Sequence, residues 1–285
     1  MAESGMERFR RMMDRMEFET LPLFSKPYFS WRLHTDYVGR RFVYRPTSDS
    51  TMEDARRMLD RFRLTNGALL LAETQSDGRG RAGRAWVSPP DVNLYFTVIV
   101  TPPPLAMTSL SYVTPLAVAY AVEDAAERLG VKLRADLKWP NDVLIDGKKL
   151  AGVLIETTAT AAGESVALVG VGINVNVDVD AYVEIRDIAT SLQQVVGKPV
   201  AREEVLAAFC NHFESLLEAA ASGDAAPFAA WRDRLVNLGR PVVANGAVER
   251  IEGVAVDVDA TGALVIERGD GSRVTVDAGD VTLQK

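Results

Sequence analysis

Apolar residues after Ser50 recur at helical spacing, with Met52, Ala55, Met58, Leu59 and Phe62 on one face. Ser50 and Glu53 precede that run at the spacing of a capping box, which predicts a helix starting at Ser50. Around it the period shortens. Arg41 to Tyr44 predicts a strand, and Ala68 to Glu73 a short apolar one. Asn93 to Thr101, rich in β-branched and aromatic residues, predicts a buried strand that ends at Pro102-Pro103-Pro104. Thr108 to Leu129 predicts a helix with a boundary or kink at Pro115 and a C-cap at Gly130. In VLIDGKKLAGVLIE, two apolar segments flank Asp146-Gly147, a pair suited to the positive φ of a tight hairpin turn. Ser165 to Val175 predicts a further strand carrying Gly170 and Gly172. Val205, Phe209, Phe213 and Leu217 mark an amphipathic helix, and a shorter one follows around Phe228 to Val236.

The texture changes near Asn237. Asn245-Gly246, Thr261-Gly262 and Asp270-Gly271 separate short alternating segments (VAVDV, ALVIE, RVTV), which predicts a small all-β barrel. At the other end, residues 1–39 hold no clean period and contain Pro22 and Pro27. They read as an irregular N-terminal arm, too short and broken for a helix-turn-helix domain. The expected division is therefore an arm over 1–39, an α/β domain over 40–236 and a β domain over 237–285.

Composition narrows the function classes. The net charge of −7 argues against a general nucleic-acid-binding surface, so a local basic loop points to a small anionic ligand. A single cysteine, Cys210, rules out an intramolecular disulfide, fits a reducing compartment and reads as buried filler. Two histidines and that cysteine make a poor zinc set. The charged first 15 residues do not resemble a signal peptide, and no apolar run is long enough to span a bilayer, so a cytoplasmic location is expected.

Three stretches carry candidate chemistry. TQSDGRGRAGRAW (74–86) contains a formal G-x-G-x-x-G, but Trp86-Val87-Ser88-Pro89-Pro90 cannot open the helix that a dinucleotide fingerprint requires. What remains is a cationic loop whose glycines give mobility and whose arginines match carboxylate or phosphate oxygens; a solvated surface loop or an RNA-binding segment are the alternatives. Lys138-Trp139-Pro140-Asn141-Asp142, followed by Lys148-Lys149-Leu150-Ala151-Gly152, can orient a magnesium–phosphate group, or form a plain polar turn beside a solvated lysine pair. In GVGINVN (170–176), two glycines inside a strand mark close approach of a ligand or of another backbone.

In this order and spacing, GRGRAGRAW, KWPND, KKLAG and GVGINVN resemble the biotin protein ligases, as do Ala189-Thr190-Ser191-Leu192 and Gly197-Lys198-Pro199-Val200. The resemblance runs from about Arg41 to the C-terminus. It implies a mixed-sheet α/β catalytic domain of the class II aminoacyl-tRNA synthetase and biotin ligase type, with an SH3-like C-terminal β-barrel. The implied activity uses ATP and Mg2+ to make biotinyl-5′-AMP from biotin, then transfers biotin to a lysine of a biotin carboxyl carrier domain. Arg79 and Arg81, with Gly80 between them, would hold the carboxylate and phosphate; Lys149 would stand between the two. Lys138, Asn141 and Asp142 would lie near phosphates, magnesium and the incoming lysine, with Arg84 and Trp86 closing over the nucleotide and Asn174 near the adenosine. Ser50, Thr51 and Gln75 would meet the ureido ring, and Gly152, Gly170 and Gly172 would allow close main-chain approach. Met52 stands where the family usually has Asn. Some members carry an N-terminal winged helix that represses transcription; the length here resembles the single-function ligases, with no specific DNA binding expected and a homodimer left open. The rival readings are a lipoate-type ligase, expected to lack the GRGRxGRxW loop, and a non-catalytic nucleic-acid-binding regulator.

Overall fold

The computed structural model describes residues 24–62, 65–101, 107–160, 163–245, 250–277 and 279–283. The Pro102–Pro104 break, Pro22 and Gly246 lie outside the described residues. A seven-stranded sheet is built from β1 (Phe42–Arg45), β2 (Leu69–Ala72), β3 (Leu94–Val100), β4 (Asp136–Lys138), β5 (Asp142–Ile145), β6 (Lys148–Ala159) and β7 (Ser165–Ile173). Its order is β1-β2-β3-β7-β6-β5-β4. β1 and β2 pair in parallel and every other pair is antiparallel, so the sheet is mixed.

Side-chain alternation divides the core into two layers. α1 (Lys26–Arg32) and α2 (Thr51–Phe62) come before β2; α3 (Leu110–Arg128), α4 (Leu192–Val196), α5 (Arg202–Ala221) and α6 (Ala226–Arg232) come after β3. Leu70, Ile99, Val166 and Leu168 pack with Met52, Ala55, Met58 and Leu59 of α2 on one face. Leu69, Leu71, Val98 and Val169 belong to the larger cluster with α3 and α5 on the other. Full burial of one such leucine is worth about 1.5–3 kcal/mol. The short α2 covers only part of its face. Beyond its N-terminus the sheet face is left to the loop that carries residues 79–87, and the cavity opens there.

Three local expectations are corrected. Within the expected irregular arm, Lys26–Arg32 form a helix: Pro27 sits in the first turn of α1, where its missing N–H costs nothing, and Ser25 caps that helix by accepting from Tyr28 N at 3.3 Å. This segment docks on α5, whose Glu214 accepts from the main-chain N–H groups of Tyr37 (3.0 Å) and Val38 (2.8 Å). Pro115 neither ends nor bounds α3, which runs through it in its second turn. The Glu53 carboxylate pairs with Arg56 at 2.5 Å instead of completing a capping box with Ser50. The hairpin turn is as expected, with Asp146 at φ 50° and Gly147 at φ 76°.

β8 (Pro241–Asn245), β9 (Arg250–Val258), β10 (Leu264–Glu267), β11 (Arg273–Val276) and β12 (Asp280–Leu283) form a second, antiparallel sheet of order β11-β10-β9-β8-β12. The two sheets meet at Trp139, whose peptide to Pro140 is cis. Its indole N–H donates to Gly262 O (2.9 Å) and its main-chain N–H to Asn237 Oδ1 (2.7 Å). Leu137 exchanges hydrogen bonds with Arg234 O and Val236 N, so the link between the sheets runs along the edge strand β4. Among the described residues no helix is long and apolar enough to cross a membrane.

Cys210 is fully buried on α5, and burial pushes its thiol well above the usual range. In native protein at pH 8 it is expected not to react with a disulfide reagent, and to react at once in guanidinium; rapid native labelling would contradict this packing.

Candidate functional site

A cavity of about 820 Å³ lies on the α2 face of the large sheet, beyond the helix N-terminus. Every site residue expected from the sequence lines it: Ser50, Thr51, Gln75, Arg79, Gly80, Arg81, Arg84, Trp86, Lys138, Asn141, Asp142, Lys149, Gly152, Gly170, Gly172 and Asn174. Residues 100 positions apart meet because β5, β6 and β7 are neighbours and the Gly/Arg loop folds over them.

The floor is made of glycines. Gly152 of β6 and Gly172 of β7 face each other in the ladder, and the Trp86 ring lies directly on both. A Cβ on Gly172 would stand 2.5 Å from that ring, and one on Gly152 2.9 Å. A Cβ on Gly170 would stand 2.6 Å from Met52 Sδ. The strand glycines thus serve close side-chain approach, by Trp86 and Met52. Trp86 Nε1 is buried with no hydrogen-bond partner, a state that costs about 1–3 kcal/mol until an acceptor arrives.

One end of the cavity is cationic. Lys149 is the second residue of β6, beside a register shift in the β5–β6 ladder, and its Nζ lies 2.6 Å from Asp142 Oδ1 and 5.2 Å from the Trp86 ring centroid. Both partners of that pair are only partly exposed. Lys138 stands opposite Asp142 in the β4–β5 ladder. Asn141 Nδ2 donates to Val153 O at 2.6 Å, which fastens the turn after Pro140 to β6.

The Gly/Arg loop is a small hairpin. Arg79 and Ala85 form a bridge, Gly80 N donates to Arg84 O (2.7 Å), Trp86 N donates to Gly78 O (2.8 Å), and a 3-10 turn spans Arg81–Gly83. Of its three glycines only Gly83 has positive φ (71°). Gly78 is there for space, since a Cβ would press on Gln75, Ser88 and Trp86 O at 3.0–3.1 Å. Gly83 is therefore required by backbone conformation and Gly78 by packing. Arg79 pairs with Asp77, which raises its guanidinium above the ordinary arginine range. More than half of each side chain is exposed, so an incoming anion can exchange with Asp77 at little cost.

The opposite end is neutral and hydrogen-bonded. Gln75 Oε1 accepts from Thr51 N (2.9 Å) and Thr51 Oγ1 (3.3 Å), tying the loop to the start of α2. Thr97, fully buried on β3, donates to Thr51 Oγ1 at 2.9 Å. Asn174 Nδ2 donates to Thr190 O at 3.1 Å, so its amide braces the cavity wall. Sequence reasoning missed Thr97, Asp136 and Arg240. Asp136 lines the cavity two positions before Lys138, on the same strand face, and strand period could have found it. Arg240 reaches the cavity through the docking of the second sheet, which no local pattern announces.

The arrangement combines an apolar, indole-covered floor, a hydrogen-bonding end and a basic end, on a chain whose net charge is −7. It suits a ligand with an apolar body, one polar head and an anionic tail. Residues 44–176 match the model of the biotin/lipoate A/B protein ligase family, and residues 238–283 that of the biotin protein ligase C terminal domain. The chain is 34% identical over 240 residues to a biotin–[acetyl-CoA-carboxylase] ligase of Paracoccus denitrificans, covering 82% of this chain and 97% of that one. It is 30% identical over 243 residues to the bifunctional ligase/repressor BirA of Bacillus subtilis, covering 84% and 73%. A biotin protein ligase from Aquifex aeolicus, solved in complex with biotin and ATP, superposes with a TM-score of 0.72 at 30% identity, covering 86% of this chain and 99% of that one. The chain belongs to the biotin/lipoate A/B protein ligase family.

Gly172→Ala is expected to lift the Trp86 indole off the floor. Acrylamide quenching of tryptophan fluorescence should rise, because Trp139 and Trp231 stay buried and Trp31, on α1, is unchanged; unchanged quenching would contradict the stacked position of Trp86.

Proposed function

We propose that this protein is a biotin protein ligase. It activates biotin with ATP to biotinyl-5′-AMP, releases pyrophosphate, and transfers biotin to a lysine of a biotin carboxyl carrier domain. The observation that carries this reading is Lys149, held 2.6 Å from Asp142 at the basic end of a cavity whose floor is two facing glycines under an indole. The match to a biotin protein ligase C terminal domain, and relatives named for biotin rather than lipoate, favour biotin over a lipoate substrate.

In the first step a carboxylate oxygen of biotin attacks the α-phosphorus, and the bond from that phosphorus to the bridging oxygen of the β-phosphate breaks. Both reactants are anions. Lys149 lies between them, and Arg79 and Arg81 hold the carboxylate and phosphate in contact; the work is positioning and charge stabilisation without a covalent enzyme intermediate. Trp86 and Arg84 close over the nucleotide, while Ser50, Thr51 and Gln75 meet the ureido ring. In the second step the neutral amine of the carrier lysine attacks the acyl carbon, the acyl–oxygen bond breaks, AMP leaves, and the nitrogen releases one proton to solvent. Asp142, beside Asn141 at the mouth of the hairpin, is the carboxylate placed to orient that amine.

Magnesium suits the donors present. Among the described residues no group of three or more His, Cys, Asp or Glu is placed to hold a metal alone. Asp136, Asp142 and Asn141 line the cavity, and this ion needs only one or two carboxylates when phosphates and water supply the rest. Bound there, it neutralises phosphate charge.

Biotin-stimulated exchange of labelled pyrophosphate into ATP tests the first step. Lys149→Ala is expected to lower it by about 10²–10³-fold, the usual loss for one preorganised charge-stabilising group; near-normal exchange would remove Lys149 from the reaction. Tryptic cutting after Arg79, Arg81 or Arg84 should slow when biotin and ATP are added together, and equal rates would argue against the loop holding the ligands.

A further inference from the structure

The wall formed by residues 174–190 is held from behind by a side chain that does not line the cavity. Asn93 precedes β3 and is 1% exposed. β7 stops pairing at Ile173, so the next main-chain N–H groups need other acceptors. Asn93 Oδ1 accepts two of them, from Val175 at 2.9 Å and Val177 at 3.3 Å, and its Nδ2 donates to Asn174 Oδ1 at 3.5 Å. The Asn93 carbonyl accepts from Arg202 Nη1 at 3.1 Å.

Arg202 opens α5, is 3% exposed, and forms a buried ion pair with Glu73, the residue at which the Gly/Arg loop leaves β2. Tyr44 OH donates to the same carboxylate at 3.0 Å. The chain of contacts continues past Asn174, whose amide holds Thr190 O. Thr190 N donates to Lys149 O at 3.0 Å, and Lys149 N donates to Ile188 O at 2.9 Å. Thus the root of the Gly/Arg loop, the 174–190 wall and both main-chain groups of Lys149 share one polar network, buried from Glu73 to Thr190.

We propose that Asn93 is a positioning residue for the ligase reaction, supported by the Arg202–Glu73 pair. It fixes where Asn174 stands and, through Thr190, where the main chain of Lys149 lies relative to the cavity. This inference rests on reading the cavity as the site of biotin adenylation. Asn93→Asp has the same size, keeps the acceptors for Val175 and Val177, and loses the donor to Asn174.

The test compares full-length wild type and Asn93→Asp by pyrophosphate exchange and by tryptic cutting after Arg186, an exposed residue of the wall. Exchange is normalised to active sites counted by the pyrophosphate burst, which removes any loss of folded protein. The expected result is a fall of at least about tenfold in kcat per active site, with KM for biotin within about threefold, and cutting after Arg186 that rises at least tenfold in buffer where urea unfolding shows both proteins folded. Unchanged kcat per site, with cutting that follows global unfolding, would overturn the proposal and leave Asn93 a packing residue. If wild type shows no biotin-dependent exchange, the ligase reading fails, and Arg186 cutting still decides whether Asn93 holds the wall. Should Asn93→Asp not fold, Asn93→Ser gives the same two readouts.

Discussion

A long, flexible cation must be held in one place at the basic end of the cavity, and the Lys149–Asp142 pair meets that constraint. Two like charges about 4 Å apart repel by about 4 kcal/mol at an effective dielectric of 20, and the protein itself carries −7. A carboxylate and a phosphate meet in this cavity only if positive charge is concentrated there. In the proposed reaction Lys149 is the cation for that role, and a short hairpin sets it: the tight Asp146-Gly147 turn returns the chain so that Lys149 reaches Asp142 at 2.6 Å. Asp142 orients the ammonium, and partial exposure leaves the ammonium able to take a second anion.

The rest of the fold makes room around that cation. α2 covers one end of the sheet face with Met52, Ala55, Met58 and Leu59, and its first residues, Ser50 and Thr51, become the polar end of the cavity. Where the helix gives out, Gly152 and Gly172 leave space for an indole where any side chain would collide. Met52 fills the hollow above Gly170. Beside it Gln75 accepts from Thr51, and Thr97 holds Thr51 from beneath. The second sheet closes the side beyond β4, anchored by Trp139, and contributes Arg240 and Leu283 to the lining.

Much of this was legible in the residues. Periodicity located the strands and the hairpin because the buried faces alternate cleanly, and the motif residues converge because they sit on neighbouring strands or on the loop above them. The misses have physical causes. Pro27 was read as a breaker, yet it sits in the first turn of a helix, where a missing N–H costs no intrahelical bond; Pro115 was read as a boundary or kink, yet α3 continues through it although one intrahelical bond is lost there. The glycines of the Gly/Arg loop were read as sources of mobility, whereas Gly78 answers a packing demand from Ser88 and Trp86 that only the folded loop creates. Thr97 and Asn93 carry no motif; their importance is a matter of buried hydrogen bonds to residues that lie far away in sequence.

The most direct measurement is mass analysis of a biotin carboxyl carrier domain incubated with this protein, biotin, ATP and Mg2+. The expected result is addition of one biotinyl group to one lysine, requiring both biotin and ATP and accompanied by AMP. An unmodified carrier, or modification by lipoate in preference to biotin under the same conditions, would contradict the assignment.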